Sequence, residues 1–133
     1  MMQALDTNVL LRIVDRTHAD QARQVEQLVR HSGHAPFFLG MLVILEFAWT
    51  LARRYKLPRT EIVQWLRFLL EAPEFVVERP ALVEHAVAEF ETSHADFGDC
   101  LIGVANLASG CSTTLTFDRD AAAIGRLFSP LPS

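Results

Sequence analysis

The chain has 133 residues, half of them apolar, which suits one domain around one hydrophobic core. Its aromatic residues and ordinary charge content, with no low-complexity tract, exclude a disordered segment. A formal charge of -4 argues against a general electrostatic grip on nucleic acid, though not against a local basic rim around an acidic site.

In chain order, the segment MQAL reads as a short first strand ending at Asp6, and NVLLRIV, from Asn8 to Val14, starts a helix. His18 to His31 carries Ala22, Val25, Leu28 and Val29 on one stripe, with Arg and Gln opposite. SGHAP breaks it. FFLG is a second strand, and Met41 to Tyr55 a helix running into the basic RRYK. Pro58 opens a further helix, with Ile62, Trp65, Leu66 and Leu69 in its stripe, and EAPE stops it. FVVE is a third strand. Pro80 suits a first helical position, and the stripe continues through Leu82 or Val83, Ala86, Val87 and Phe90. Asp96 to Ala108 is a helix apolar nearly all round, closed by Gly110. STTLTF is a fourth strand and DRDAAAIGRLF a short last helix; the proline-containing end adds an edge strand. The alternation predicts an α/β domain with a mainly parallel sheet, residues 1–133, with no linker, repeat or second domain.

Cys100 and Cys111 show neither a CxxC nor a metal spacing; both are expected as buried, reduced thiols of a cytoplasmic protein. The five histidines are scattered, which disfavours a zinc site. MMQALD lacks the basic start of a signal peptide. Pro36 to Ala52 is apolar but short for a membrane span and holds Glu46 near its middle. It is expected as a buried strand leading into a buried helix, with no membrane contact.

Sheets of this kind gather ligands at the carboxyl ends of their strands, and that rule selects carboxylates. Asp6 ends the first strand and Asp118 the fourth. Asp99 lies in the first turn of the apolar helix, and Glu46 one to two turns into the helix after strand two. Plainer uses exist. Asp6 and Asp118 are both good N-caps. Asp96 and Asp99 in DFGD are spaced like a capping box, and Asp96 reads as the cap. Glu46 is harder to dismiss. Its helical neighbours are Leu42, Val43, Trp49 and Thr50, of which only Thr50 is polar, and a buried, unpaired carboxylate is costly. A bound Mg²⁺ or Mn²⁺ explains the four acids together. Such ions take oxygen ligands and remove the mutual repulsion of crowded carboxylates. That chemistry serves phosphodiester hydrolysis.

ALDTNVLL, LVILEFAWTL, ADFGDCLIGVANLASGC and TLTFDRD resemble, in order and spacing, the motifs of PIN-domain proteins, above all the VapC type, the toxin half of bacterial toxin–antitoxin pairs. The resemblance runs through nearly the whole chain. It implies an α/β/α sandwich around a parallel sheet and a Mg²⁺- or Mn²⁺-dependent endoribonuclease. The acidic set falls on Asp6, Glu46, Asp99 and Asp118. Asp6 and Asp99 would be the main ligands, and Glu46 and Asp118 would complete the pocket. Asn8 would steady the first motif by hydrogen bonds, Thr116 would offer its hydroxyl near metal or phosphate, and Asp96 would support or cap. Asp120 is an alternative to Asp118. Arg12, Arg16, Arg53, Arg54 and Arg119 could guide RNA phosphates, or receive an acidic partner segment. Family members commonly form homodimers and are silenced by a cognate antitoxin whose C-terminal segment obstructs the acids. Surface around Trp49, Trp65 and Phe68 would suit either partner, although Trp49 reads more naturally as core.

Two rival readings remain. A non-catalytic PIN-fold module could hold RNA or a protein without cutting it. A receiver-type signalling domain needs a Lys after a late strand, and the only Lys, Lys56, stands elsewhere. The same metal chemistry would also cut DNA, and nothing in the residues chooses the sugar.

Overall fold

A computed structural model describes residues 2–31 and 36–133. The elements are α1 (Thr7–Val14), α2 (Ala19–His31), β1 (Phe37–Leu39), α3 (Met41–Arg53), α4 (Arg59–Glu71), β2 (Phe75–Val77), α5 (Pro80–Glu91), α6 (Phe97–Ala108), β3 (Thr114–Thr116), α7 (Arg119–Ala122) and β4 (Phe128–Pro130). Pairs of helices precede each of the first three strands and a single short helix the fourth, and the strands pair in parallel, giving the α/β fold that the sequence predicts. Of the SGHAP break, residues 32–35 lie outside the described residues.

The strands are shorter than expected, and their hydrogen bonds fall in two groups. β1 and β2 pair in parallel, with Phe37 opposite Phe75 and Leu39 opposite Val77. β3 and β4 do the same, with Thr114 opposite Phe128. The expected first strand reduces to one parallel bridge between Ala4 and Phe38. There the Leu5 N–H donates to the Phe38 carbonyl at 3.1 Å, and the Phe38 N–H to Gln3 at 2.8 Å. The reason is local. Asp6 caps α1 directly after Leu5, so the chain turns into a helix before a longer ladder can form.

The core explains the stripes. Leu10, Leu11, Leu39, Phe47, Leu51, Leu66, Val83, Val87 and Cys100 are all but sealed from solvent. Burying a Leu or Phe side chain stabilises by about 1.5–3 kcal/mol. α6 packs against α5 and α3, and α3 against α1 and α4, so α3 and α6 lie side by side. Gly103 permits the close approach of α6 to the last strand, because a Cβ there would stand 2.6 Å from the Phe128 ring and 3.2 Å from Leu127. Gly110, at φ +99°, takes the left-handed turn that ends α6, and the Cys111 N–H donates back to the Asn106 carbonyl at 3.0 Å. That turn carries Cys111 outward. Cys100 is buried as expected; Cys111 is exposed, contrary to expectation.

A polar clasp joins the far ends of α1 and α3. The Tyr55 hydroxyl donates to Asp15 at 2.5 Å, and Thr17 adds donations from its hydroxyl at 2.7 Å and its N–H at 3.0 Å. These hydrogen bonds, from Thr17 first and then Tyr55, hold the Asp15 carboxyl far below the usual range. Among the described residues no helix is long and apolar enough to cross a membrane.

Candidate active site

Asp6 stands at the N-cap of α1 in extended backbone, where its Oδ1 accepts the Val9 N–H at 3.1 Å. Asp118 does the same for α7, accepting the Ala121 N–H at 2.8 Å. Both capping readings therefore hold. They do not exhaust the carboxylates, because each carries a second oxygen and further lone pairs.

Asp96 occupies the N-cap of α6 but makes no side-chain capping bond. The expected capping box is absent. Asp99, one turn further, is partly buried. Its pKa is raised, first by desolvation and then by the neighbouring charges of Asp96 and Asp118. Three carboxylates from α6 and the β3–α7 turn thus share one electrostatic neighbourhood.

Glu46 overturns its own argument. It is exposed on α3, and so are its neighbours Leu42 and Trp49, 81% and 57% accessible; of the four neighbours only Thr50 is buried. The apolar surroundings in sequence form an open apolar face, not a core, and the placement of Trp49 in the core was wrong. Glu46 is held by Thr7, a buried residue whose hydroxyl donates to its Oε1. Asp6, Thr7, Asn8, Glu46, Trp49 and Arg54 line one groove of about 820 Å³ between α1 and α3.

The two acidic groups adjoin through α3 and α6. A Cβ on Gly98 would meet the Leu45 side chain at 3.1 Å, so the residues just before Glu46 and Asp99 touch. Among the described residues, however, no three His, Cys, Asp or Glu side chains converge closely enough to form a metal cluster. The single four-carboxylate pocket expected from the sequence is instead two adjoining sets, Asp6 with Glu46 and Asp99 with Asp96 and Asp118. The donor chemistry still fits a hard divalent cation. All groups are carboxylate oxygens, Mg²⁺ keeps several waters and needs only one or two carboxylates, and the burial and neighbouring charges that raise the Asp99 pKa are costs that a cation relieves.

The supporting residues fall differently from expectation. Asn8 is exposed and lines the groove, while the hydrogen bond that ties the first motif to Glu46 comes from Thr7. Thr7 stands between two residues already singled out, and a hydroxyl on the first helical residue after a cap was the available signal. The Thr116 hydroxyl is turned to its own backbone, accepting the Asp118 N–H at 3.0 Å. Glu78 was missed altogether. It follows β2, and its Oε1 accepts the Met41 N–H at 2.8 Å, capping α3 where Gly40 offers no side chain. The strand-end rule that chose Asp6 and Asp118 selects Glu78 equally.

Arg54 lines the groove with Asp6 and Glu46, and Arg53 and Arg119 are exposed. Arg12 borders a second groove, between α1 and α2, and donates to Gln21 at 2.7 Å. Arg16 is paired with Glu26 at 2.9 Å. Trp65 is half-buried and meets Phe68 edge-to-face at 5.8 Å, leaving Phe68 43% exposed.

The PIN domain family model matches residues 4–127, and the chain belongs to the PIN-domain family. No match to the chain was found among curated proteins. PIN domains are in general metal-dependent nucleases that use divalent ions, and the strand-edge carboxylates lie on that nuclease-type fold.

Proposed function

We propose that the chain is a Mg²⁺- or Mn²⁺-dependent endoribonuclease of the VapC type, the toxin of a bacterial toxin–antitoxin pair. What supports this reading is the PIN-domain match together with two carboxylate sets on packed helices: Asp6 and Glu46 share the α1–α3 groove, and Asp99 has its pKa raised by burial and by the charges of Asp96 and Asp118. Asp99 and Asp118, with Asp6 and Glu46 beside them, would hold the ion or ions. A divalent cation there would activate water and offset charge at the phosphate undergoing attack. The chain's own residues do the rest. Thr7 fixes the Glu46 carboxylate, Val9 and Ala121 N–H groups fix Asp6 and Asp118, and Arg54 offers a cation to a backbone phosphate along the groove. In this reading residues 1–133 form one cytoplasmic PIN domain, active as a homodimer and silenced by an antitoxin segment across the acidic edge.

The test is cleavage of total cellular RNA by purified protein with Mn²⁺ or Mg²⁺, with chelator, and beside an Asp6→Asn, Asp99→Asn double variant. Discrete fragments that need both metal and carboxylates support the nuclease. No fragments from folded, antitoxin-free protein would favour a non-catalytic module that binds RNA or a protein.

A further inference from the structure

An acidic protein that acts on RNA cannot rely on long-range attraction. With a formal charge of -4, and Arg16, Arg30, Arg67 and Arg126 engaged by glutamates, contacts that salt does not weaken gain weight beside the exposed Arg53, Arg54 and Arg119.

Two aromatic side chains meet that need. Phe117 is 90% exposed, and it directly precedes Asp118. Its backbone is held on the following side twice over: the Asp118 N–H donates to Thr116, and the Asp118 carboxylate caps α7. The ring therefore stands on a pinned turn directly after β3, where Leu115, two residues earlier, is also 55% exposed. Trp49 is 57% exposed in the groove that holds Asp6, Glu46 and Arg54. Each acidic set thus has an open aromatic face beside it.

The surroundings of Phe117 disfavour a protein occupant. Asp118, Arg119 and Asp120 follow it directly, and all are exposed. Burying the ring in an apolar partner would desolvate those charges. A nucleobase needs only the face of the ring and leaves the charges wet. We infer that Phe117 and Trp49 are stacking platforms for the bases of an unpaired RNA strand, one beside each acidic set. The identity of the strand rests on the nuclease reading; the stacking does not depend on cleavage.

The experiment measures binding. Asp99→Asn protein in excess Mg²⁺ is titrated with a short, labelled, unstructured RNA, following anisotropy. The chain has two tryptophans, so in a Trp65→Phe background the emission reports Trp49 alone. RNA should quench that emission. Phe117→Ala and Trp49→Ala should each weaken binding about five- to a hundredfold, the range of one lost base–aromatic stack, and Phe117→Trp should restore it. A duplex of the same sequence and a base-free ribose-phosphate strand should bind poorly to all variants, and affinity should fall only gently with salt. Unchanged affinity in either alanine variant overturns the role of that ring. Equal binding of the base-free strand, or no RNA binding by folded protein, overturns both. So does self-association that Phe117→Ala abolishes while RNA affinity stays constant. The nuclease reading fails separately: ring-dependent binding without metal-dependent cleavage leaves the platforms standing. Conversely, cleavage at unchanged KM in both alanine variants removes the platforms and keeps the nuclease.

Discussion

Arg59 sits at the start of α4, yet it governs the approach to α6. Its guanidinium donates to the carbonyls of Phe90 and Ala95, the latter at 2.8 Å, and lies 3.9 Å above the Phe90 ring. Burial draws its pKa down, countered by Cys100, Asp96 and Asp120. Ala95 is followed by Asp96, so the two bonds set where the acidic turn of α6 begins. Arg59→Met keeps much of the stem and deletes the fork. Two charge-assisted hydrogen bonds contribute about 1.5–3 kcal/mol each, and the stacked cation roughly 0.5–1 more. Partial access of water to the freed carbonyls reduces the sum, so a loss of about 3–4 kcal/mol is expected. That is a large share of the roughly 5–15 kcal/mol available to a domain, and corresponds to a Tm lower by about 10–15 °C. Arg59→Lys should recover less than half, because an ammonium cannot reproduce the fork. Urea unfolding followed by circular dichroism gives the number. A loss below about 1 kcal/mol for Arg59→Met would refute the clamp and leave the two bonds as surface decoration.

Further outcomes follow from the same geometry. Glu46→Gln should leave stability within about 0.5 kcal/mol, since the residue is exposed, while metal-dependent cleavage drops; unaltered activity would count against a role for Glu46. Thr7→Val removes the buried hydroxyl at constant shape and should cost about 1 kcal/mol, with cleavage falling alongside it. Gly103→Ala should destabilise by about 1–3 kcal/mol, because the new Cβ would press on the buried Phe128 ring and on the Leu127 Cβ; a neutral result in thermal unfolding would show that the ring can swing aside. Asp99 has its folded pKa raised by burial and by Asp96 and Asp118. Its ionised form therefore weakens the metal-free fold above that folded pKa, and the penalty fades as pH falls toward the ordinary aspartate value. Asp99→Asn should thus raise the metal-free Tm at neutral pH, with the gain vanishing in acid, while added Mg²⁺ raises the Tm of the wild type more than that of the variant.

The helices α1 to α6 were legible because their stripes are long and their punctuation is chemical; the last was not, since of DRDAAAIGRLF only Arg119–Ala122 is helical and Phe128 enters β4. Pro80 at a first helical turn and Gly110 at a left-handed turn act where the sequence places them. The strands were legible in position but not in length. Three-residue strands carry too few residues for periodicity, and the first one yields to the cap at Asp6 after a single bridge. The two-group pairing of the strands depends on tertiary register, which no local pattern holds.

The site was legible where a rule of topology applied and misread where a rule of composition was used. Carboxylates at strand ends led to Asp6 and Asp118, and the same rule, pressed further, reaches Glu78. Glu46 was chosen because its neighbours are apolar, on the assumption that apolar neighbours are buried ones. Leu42 and Trp49 show the alternative: an apolar helix face can be left open beside the carboxylates of a candidate site. Capping and ligation were weighed as rivals, but a carboxylate can hold a helix start with one oxygen and present the other to the edge of the sheet. The caps fix the orientation of Asp6 and Asp118 before any ion arrives. Loss of a cap should therefore weaken metal binding even when the charge is preserved elsewhere on the turn, as in exchanging Asp118 with the neighbouring Arg119. Equal Mg²⁺ stabilisation in that exchanged variant would mean that net charge, not oriented oxygen, holds the ion.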